Sequence, residues 1–433
     1  MIARLRHFAS RLADAFWVVP ASIVVAGGLL ALFCVSLDLS GSVPRELLQG
    51  PWLYNGGPTG ARTLLGAVAA SAIGVAGTVF SITIAALSLA AGQMGPRLLR
   101  NFVRDRGNQI TLGILLGTFT YALLVLRSVR TAEEGGFTPH LSMTVGIVLA
   151  LWSVAMLIYF VGHVAVRINV DTVIALVGDD LQQSMRGIVP EESEQTESAR
   201  TTTDEHPQGV RICAPRAGYL QSLDTAQLVD WAVKHDLRIR LTIRPGNYVF
   251  PGAPIAWLSR PADAAEQAVC DALVLGAERT PYADVEFAIR QLVEVAMRAL
   301  SPGINDPYSA ISVIDRLGSA LCELVGVRLP SGKYVREGRL VLTVPAVDYD
   351  GLADTMFHPL RQYGSTSAMV LIRLVEVFTA IASCEADVAR RATLQRHALL
   401  VMDEGKRGLG SPADLADLRT RLEDFHRACG TGR

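Results

Sequence analysis

Hydrophobic and polar positions divide this chain into two parts of different character. Four long apolar stretches fall in the first part, at about 17–37, 63–91, 110–126 and 141–166. Because a helix that crosses a bilayer needs about 17–25 residues, the pattern predicts a transmembrane domain over 1–170. The second stretch is longer than a span requires, so its helix must tilt, kink or project beyond the bilayer.

The remaining chain has the patterns of a folded domain outside the membrane. Over residues 171–209, the pattern predicts a helix that leads out of the transmembrane domain, followed by an acidic flexible linker rich in Ser and Thr. Apolar and polar residues then alternate over 237–243 and Pro-Gly turns follow, which predicts a small β-barrel over 210–260. Amphipathic helical patterns fill 261–433. The expected fold class is an α-helical membrane protein with four transmembrane helices plus a cytoplasmic α+β domain that contains this barrel.

The placement of arginine predicts the orientation in the membrane. Arginines are concentrated before the first stretch, between the second and third, and after the fourth. Loops enriched in this way lie on the cytoplasmic side, so both termini are expected there. The net charge of −1 indicates no nucleic-acid partner. Half of the residues are hydrophobic, and the lipid bilayer is therefore the partner that the composition supports.

The second apolar stretch carries a repeating pattern of small and hydroxyl residues. They share one helix face because their spacing is 3, 4, 3, 4, 3, and they are Ser71, Gly74, Thr78, Ser81, Ala85 and Ser88. One interpretation is close packing of helices in lipid, where small residues let backbones approach. The other is the lining of a pore or cavity in a symmetric oligomer, where hydroxyl groups provide a pathway without fixed charge. The two interpretations are compatible if copies of the helix pack around the symmetry axis of an oligomer.

Two further features of the membrane region are candidates for function. Arg97, Arg100 and Arg104 fall on one face of a short helix that follows the second stretch. They either anchor the loop to anionic headgroups or form a ring at a pore mouth that attracts anions. His163 lies near the cytoplasmic end of the fourth stretch, where it is either a hydrogen-bonded interfacial side chain or a group for gating or proton sensing.

Outside the membrane region, the segment RALSPGINDPYSAI contains the remaining candidates. Asp306 and Pro307 have the residue types of an N-cap and a first helical position. Asn305 is less easily explained, and a helix N-terminus can bind an anion, so Asn305 and Asp306 are ligand candidates.

No catalytic motif is found, and the histidines are isolated from each other along the sequence. The six cysteines are scattered without a CxxC pair. The sequence therefore predicts no enzyme, no cofactor and no metal site.

Three segments resemble one family. GTVFSITIAALSLAAGQMGPRLLRNFVRDRGNQ, VRICAPRAGYLQ and DVEFAIRQLVEVAMRALSPGINDPYSAI are similar to segments of the DUF2254 family of bacterial predicted membrane proteins. The resemblance covers nearly the whole chain, and the Ser-Pro-Gly-Ile-Asn-Asp-Pro string is its most specific part. It implies a multi-pass protein of the bacterial inner membrane. It implies no activity, because the family name itself records unknown function.

The patterns together favour a homo-oligomeric channel or pore-forming protein of the inner membrane. The second helix would line the pathway for an inorganic ion, and the cytoplasmic domain would assemble or gate it. The alternative is a non-conducting membrane-anchored regulator or scaffold, whose cytoplasmic domain binds a ligand or partner. In that case the spans only anchor the chain and hold subunits together.

Overall fold

The computed structural model divides the chain into two compact units, Met1–Thr172 and Val173–Arg433. The residues that it describes are 16–40, 54, 56–94, 105–130, 137–167, 169–186, 209–279 and 284–430. The acidic linker predicted before residue 210 lies largely outside these ranges.

The described residues of the first unit form four helices, and all four are long and apolar enough to cross a membrane. They are α1 (Val18–Ser40), α2 (Pro58–Met94), α3 (Arg106–Ser128) and α4 (His140–Arg167). The four predicted membrane helices are therefore confirmed. With 37 residues, α2 is about 55 Å long at a rise of about 1.5 Å per residue, well beyond the roughly 30 Å hydrocarbon core.

Glycines set the close contact between α1 and α3. A Cβ atom on Gly27 would lie 2.7 Å from the carbonyl oxygen of Gly117, and one on Gly113 would lie 2.6 Å from the end of Ile23. Both distances are too short for a side chain, so the backbones approach only because the glycines have none. The packing is that of lipid-embedded helices, which associate through small residues. Between α3 and α4, the buried hydroxyls of Thr118 and Ser153 form a hydrogen bond of 3.0 Å.

The second unit contains two β-sheets. The strands are β1 (Val210–Cys213), β2 (Gly218–Leu223), β3 (Ile239–Leu241), β4 (Tyr248–Val249), β5 (Pro254–Leu258), β6 (Leu273–Gly276), β7 (Lys333–Arg336) and β8 (Arg339–Thr343). One sheet has the order β1-β5-β3-β8-β7 and the other β4-β2-β6. Strands β3 and β8 pair in parallel, with Ile239 opposite Leu342. No closed barrel is found among the described strands, so the predicted barrel is unconfirmed, while the mixed α/β character is confirmed.

Helices make up the rest of the second unit. They are α5 (Val170–Arg186), α6 (Thr225–Lys234), α7 (Ala265–Asp271), α8 (Val285–Ala299), α9 (Pro307–Cys322), α10 (Tyr349–Tyr363), α11 (Ala368–Cys384), α12 (Val388–Gly408) and α13 (Pro412–Ala428). The core between α10 and α11 includes Phe357 and Phe378, whose rings meet edge to face at 4.8 Å. Both side chains are fully buried, and such aromatic pairs stabilise a core beyond their buried area.

Candidate functional site

Helix α2 has two opposite faces with different surroundings. One face is buried against the neighbouring helices through apolar residues, most of them alanine, which are Ala61, Leu65, Ala69, Ala72, Ala76, Val79 and Ala86. The six small and hydroxyl residues predicted to share a face are all exposed, namely Ser71, Gly74, Thr78, Ser81, Ala85 and Ser88. Several of them lie two positions after a buried residue, as Gly74 lies after Ala72, which is about 200° around the helix.

The hydroxyl groups of this exposed face are bonded to their own helix. Thr78 Oγ1 donates to the carbonyl oxygen of Gly74 at 3.2 Å, and Ser81 Oγ donates to that of Gly77 at 3.0 Å. Ser71 Oγ does the same with Val68 at 3.0 Å. Each donor is satisfied without a neighbour, as a bilayer requires, while the oxygen keeps a lone pair that can accept.

Bulky apolar side chains lie on the two flanks of that face. Phe80 and Ile84 flank it on one side and Ile82 and Leu89 on the other, and each is between 43% and 51% exposed. Large aliphatic and aromatic groups of this kind suit contact with lipid tails. A Cβ on Gly74 would meet no atom within 4 Å, so the face between them is open in the single chain.

Asp105 and His163 connect one end of α3 to the end of α4. Asp105 is the N-cap of α3 and accepts a hydrogen bond from the backbone N–H of Gly107. Its other oxygen lies 2.6 Å from Nε2 of His163, and Tyr159 Oη lies 3.3 Å from Nδ1 of the same ring. His163 is therefore a partnered side chain at the end of a span. Arg97, Arg100 and Arg104, which the sequence places just before this point, lie outside the described residues.

A second carboxylate contacts the first turn of α4, at the end opposite to His163. Asp38, near the end of α1, accepts hydrogen bonds from the backbone N–H groups of Leu141 and Ser142 and from the Ser142 hydroxyl. It therefore caps α4 from another helix, where the positive end of the helix dipole favours a negative charge. No local pattern could have predicted this contact, because Asp38 and Leu141 are 103 positions apart in the chain.

The Asn305–Asp306 pair has a local structural role. Asp306 is the N-cap of α9 and accepts from the backbone N–H groups of Tyr308 and Ser309. Asn305 has a left-handed backbone with φ of 50°, a conformation that asparagine adopts more readily than most residues. The hydrogen bond from the Ser309 hydroxyl is the main cause that lowers the pKa of Asp306. Their predicted role as ligand residues stays a prediction.

One cluster was missed from the sequence, where the histidines look isolated. Asp354 and His358 on α10 meet His397 on α12, and their ligand atoms lie within 4.8 Å of one another. His397 is 1% exposed and lies near the rings of Phe357 and Phe378. Burial is the main cause that lowers its pKa to about 4, so the ring is neutral at pH 7. The i, i+4 spacing of Asp354 and His358 was the available signal.

Comparison with known proteins gives the family of the chain and no activity. A family model described as "Predicted membrane protein (DUF2254)" matches residues 13–380. An uncharacterized protein of Mycobacterium tuberculosis is 31% identical over 430 residues, which cover 96% of this chain and 81% of the relative. An uncharacterized protein of Mycobacterium bovis matches to the same extent. No solved structure matches the chain.

The Asp105–His163 contact predicts a specific sensitivity at Gly107. A Cβ there would lie 2.7 Å from His163 Nε2 and 2.9 Å from Tyr159 Oη. We expect Gly107→Ala to displace the ring and to lower the free energy of unfolding by about 1–3 kcal/mol, the cost of a buried polar group without its partner. Thermal unfolding in nanodiscs measures it. Gly162→Ala is the matched control, since its Cβ meets nothing within 4 Å, and equal effects of both variants would contradict the prediction.

The cap at Asp306 predicts a pH-dependent effect on α9. We expect Asp306→Ala to cost about 1 kcal/mol, seen as about five-fold faster hydrogen exchange in the first turn of α9, and Asp306→Ser to cost less. Because the pKa of this carboxyl is lowered on folding, its contribution is present above the ordinary aspartate pKa of about 3.9 and is lost as the pH falls through the lowered value. A difference between Ala and wild type that grows as the pH falls would contradict this.

Proposed function

The chain belongs to the DUF2254 family of predicted membrane proteins, and from that premise we propose that it is a homo-oligomeric channel in which α2 lines the pathway. One observation carries the proposal. The face of α2 that contains Ser71, Thr78 and Ser81 is exposed along its length in the single chain, on the side away from the helices that α2 packs against. A second subunit or a water-filled path can occupy this side of the helix.

The residue types on this face support a polar path more than a lipid-facing surface. Lipid contact is served by the bulky flanks, including Phe80 and Ile84, whereas the face between them is small and has hydroxyl oxygens free to accept. Hydroxyl and carbonyl oxygens can replace part of the hydration shell of an inorganic ion. No fixed charge on this face selects the sign of the ion.

The alternative is a membrane-anchored regulator or scaffold that does not conduct. The same exposed face would then pack dry against α2 of another subunit, because small residues also let helices approach closely in lipid. The second unit would bind a ligand or partner, and the membrane unit would hold the subunits together. Neither alternative assigns a catalytic role to the chain.

We extend the proposal to orientation. With an even number of spans, both termini lie on the same side, and the arginine-rich loops assign that side to the cytoplasm of a bacterial inner membrane. Arg97, Arg100 and Arg104 would lie at the same surface, close to the end of α2. There they would contact anionic headgroups or concentrate anions at the mouth of the path.

Adding bulk to the exposed face separates the pore from the packing interface. We expect wild-type protein in liposomes to pass ions under voltage, tension or pH steps. Thr78→Leu and Ser81→Leu should reduce that flux by about ten-fold or more with the oligomer intact, because an apolar side chain narrows and dewets the path. Flux assays and native mass spectrometry measure the two quantities.

Ser22→Leu on α1 is the matched control for these substitutions. Ser22 is also exposed and also donates to its own helix, at 2.7 Å to the carbonyl oxygen of Val18. It should change neither flux nor assembly. Loss of the oligomer in the α2 variants would favour the scaffold, and absence of flux in the wild type under all three stimuli would refute the channel.

The proposed orientation is testable with reporters on the full chain. A green fluorescent protein fused after Arg433 should fluoresce, and alkaline phosphatase at the same position should be inactive, because the first folds in the cytoplasm and the second needs disulfides formed outside it. The opposite pair of signals would place the second unit outside the cytoplasm and reverse all four spans.

A further inference from the structure

Two imidazoles converge on one carboxylate between α10 and α12. Asp354 and His358 are one helical turn apart, so they project from the same face of α10. His358 Nε2 and His397 Nε2 each lie 3.0 Å from Asp354 Oδ1. The three side chains therefore meet at one place, although they come from two helices and Asp354 and His397 are 43 positions apart in the sequence.

The nitrogen of the innermost ring has no satisfactory partner. His397 is 1% exposed, and its Nε2 makes no hydrogen bond among the described residues. Its nearest acidic atom is Asp354 Oδ1, at 3.0 Å, an electrostatic contact that leaves the nitrogen without a hydrogen bond of full geometry. A buried nitrogen without a partner costs free energy, and such groups in a native fold mark a place where something binds.

The spacing matches the edges of a metal coordination sphere. A Zn²⁺ ion binds imidazole nitrogen and carboxylate oxygen at about 2.0–2.2 Å, which places neighbouring ligand atoms about 3.0–3.5 Å apart. Two of the three edges here, from Asp354 to each histidine, already measure 3.0 Å. A set of two histidines and one carboxylate is also a common donor set for divalent transition metals.

We propose that Asp354, His358 and His397 bind a divalent transition-metal ion of the Zn²⁺ type. Three protein ligands leave a fourth position for water or an anionic ligand. That position is open to solvent, because the side chains of Asp354 and His358 are 40% and 31% exposed while His397 closes the inner side. The site lies within the second unit, and its existence does not depend on whether α2 conducts.

Arg396 would compete with a bound metal for Asp354, which limits the metal affinity and provides a test of the proposed site. Its Nη2 donates to Asp354 Oδ1 at 2.7 Å, so it shares the oxygen that the metal would use. The Arg396 side chain is 41% exposed and can turn towards solvent when a metal binds. Removing this competing positive charge should strengthen metal binding, whereas any general damage to the helix pair should weaken it.

The experiment measures Zn²⁺ binding by the full chain in nanodiscs, by competition with a fluorescent zinc indicator and by the visible spectrum of bound Co²⁺. We expect stoichiometric binding by the wild type and a loss of about 100-fold in Asp354→Asn and His358→Ala, since the first replaces a charged carboxylate ligand by a neutral amide and the second removes an imidazole ligand. Arg396→Ala should bind about two- to five-fold more tightly. His235→Ala removes a histidine outside the cluster and should match the wild type.

Three results would overturn the proposal. The first is no binding by the wild type. The second is wild-type binding in both Asp354→Asn and His358→Ala, which would place the metal elsewhere, for example on the neighbouring thiols of Cys322 and Cys384. The third is weaker binding in Arg396→Ala, because the losses would then follow from disturbing the helices rather than from removing ligands.

Discussion

The membrane unit depends on one constraint, which is that polar groups in hydrocarbon find their partners within the protein because no water is available to them. Serine and threonine hydroxyls on α2 donate to their own backbone, as Thr78 donates to Gly74. The two carboxylates near the ends of the spans are used in the same way. Asp38 caps α4 from α1, and Asp105 joins the start of α3 to His163 on α4. These contacts fix the ends of neighbouring helices to each other, while glycines such as Gly27 let their middles approach.

That constraint explains why α2 can offer a second face without penalty. Its hydroxyls need no neighbour, so the face that contains Thr78 and Ser81 is stable when exposed to lipid and equally able to meet another subunit or water. The buried face is different, because its alanines are sized for the close approach of α3 and α4. Helix α2 has an inward face of small apolar residues and an outward face of small polar residues, so it can pack in two directions. Within a single chain only the inward face is packed. The second direction is the physical basis of the oligomer that we propose.

The membrane part of the fold could be predicted from sequence because it rests on composition and helical spacing. A run of apolar residues has few alternatives to a spanning helix, and the 3, 4, 3 spacing places Ser71 and Thr78 on one face in any such helix. Asp306 was predictable as an N-cap for a similar reason, since a cap acts on residues two and three positions away. The arrangement of the two sheets could not be predicted from the sequence, because strands that are far apart in the chain pair with each other. Strand β8 pairs with β3, which lies about 100 residues earlier in the chain. Strand β8 is therefore outside the segment 210–260 that was predicted to form the barrel.

The histidine cluster shows the same limit at a single site. Within one helix, the spacing of Asp354 and His358 could have been noticed, but an aspartate and a histidine four residues apart are ordinary on a helix surface. The pair is distinguished by His397, which lies on α12, contacts Asp354 and packs beside the rings of Phe357 and Phe378. A ring buried in that way cannot turn to solvent for a hydrogen bond, so its nitrogen is committed to whatever lies beside Asp354. The aromatic packing that holds His397 places its nitrogen beside Asp354, and only the fold brings the two together.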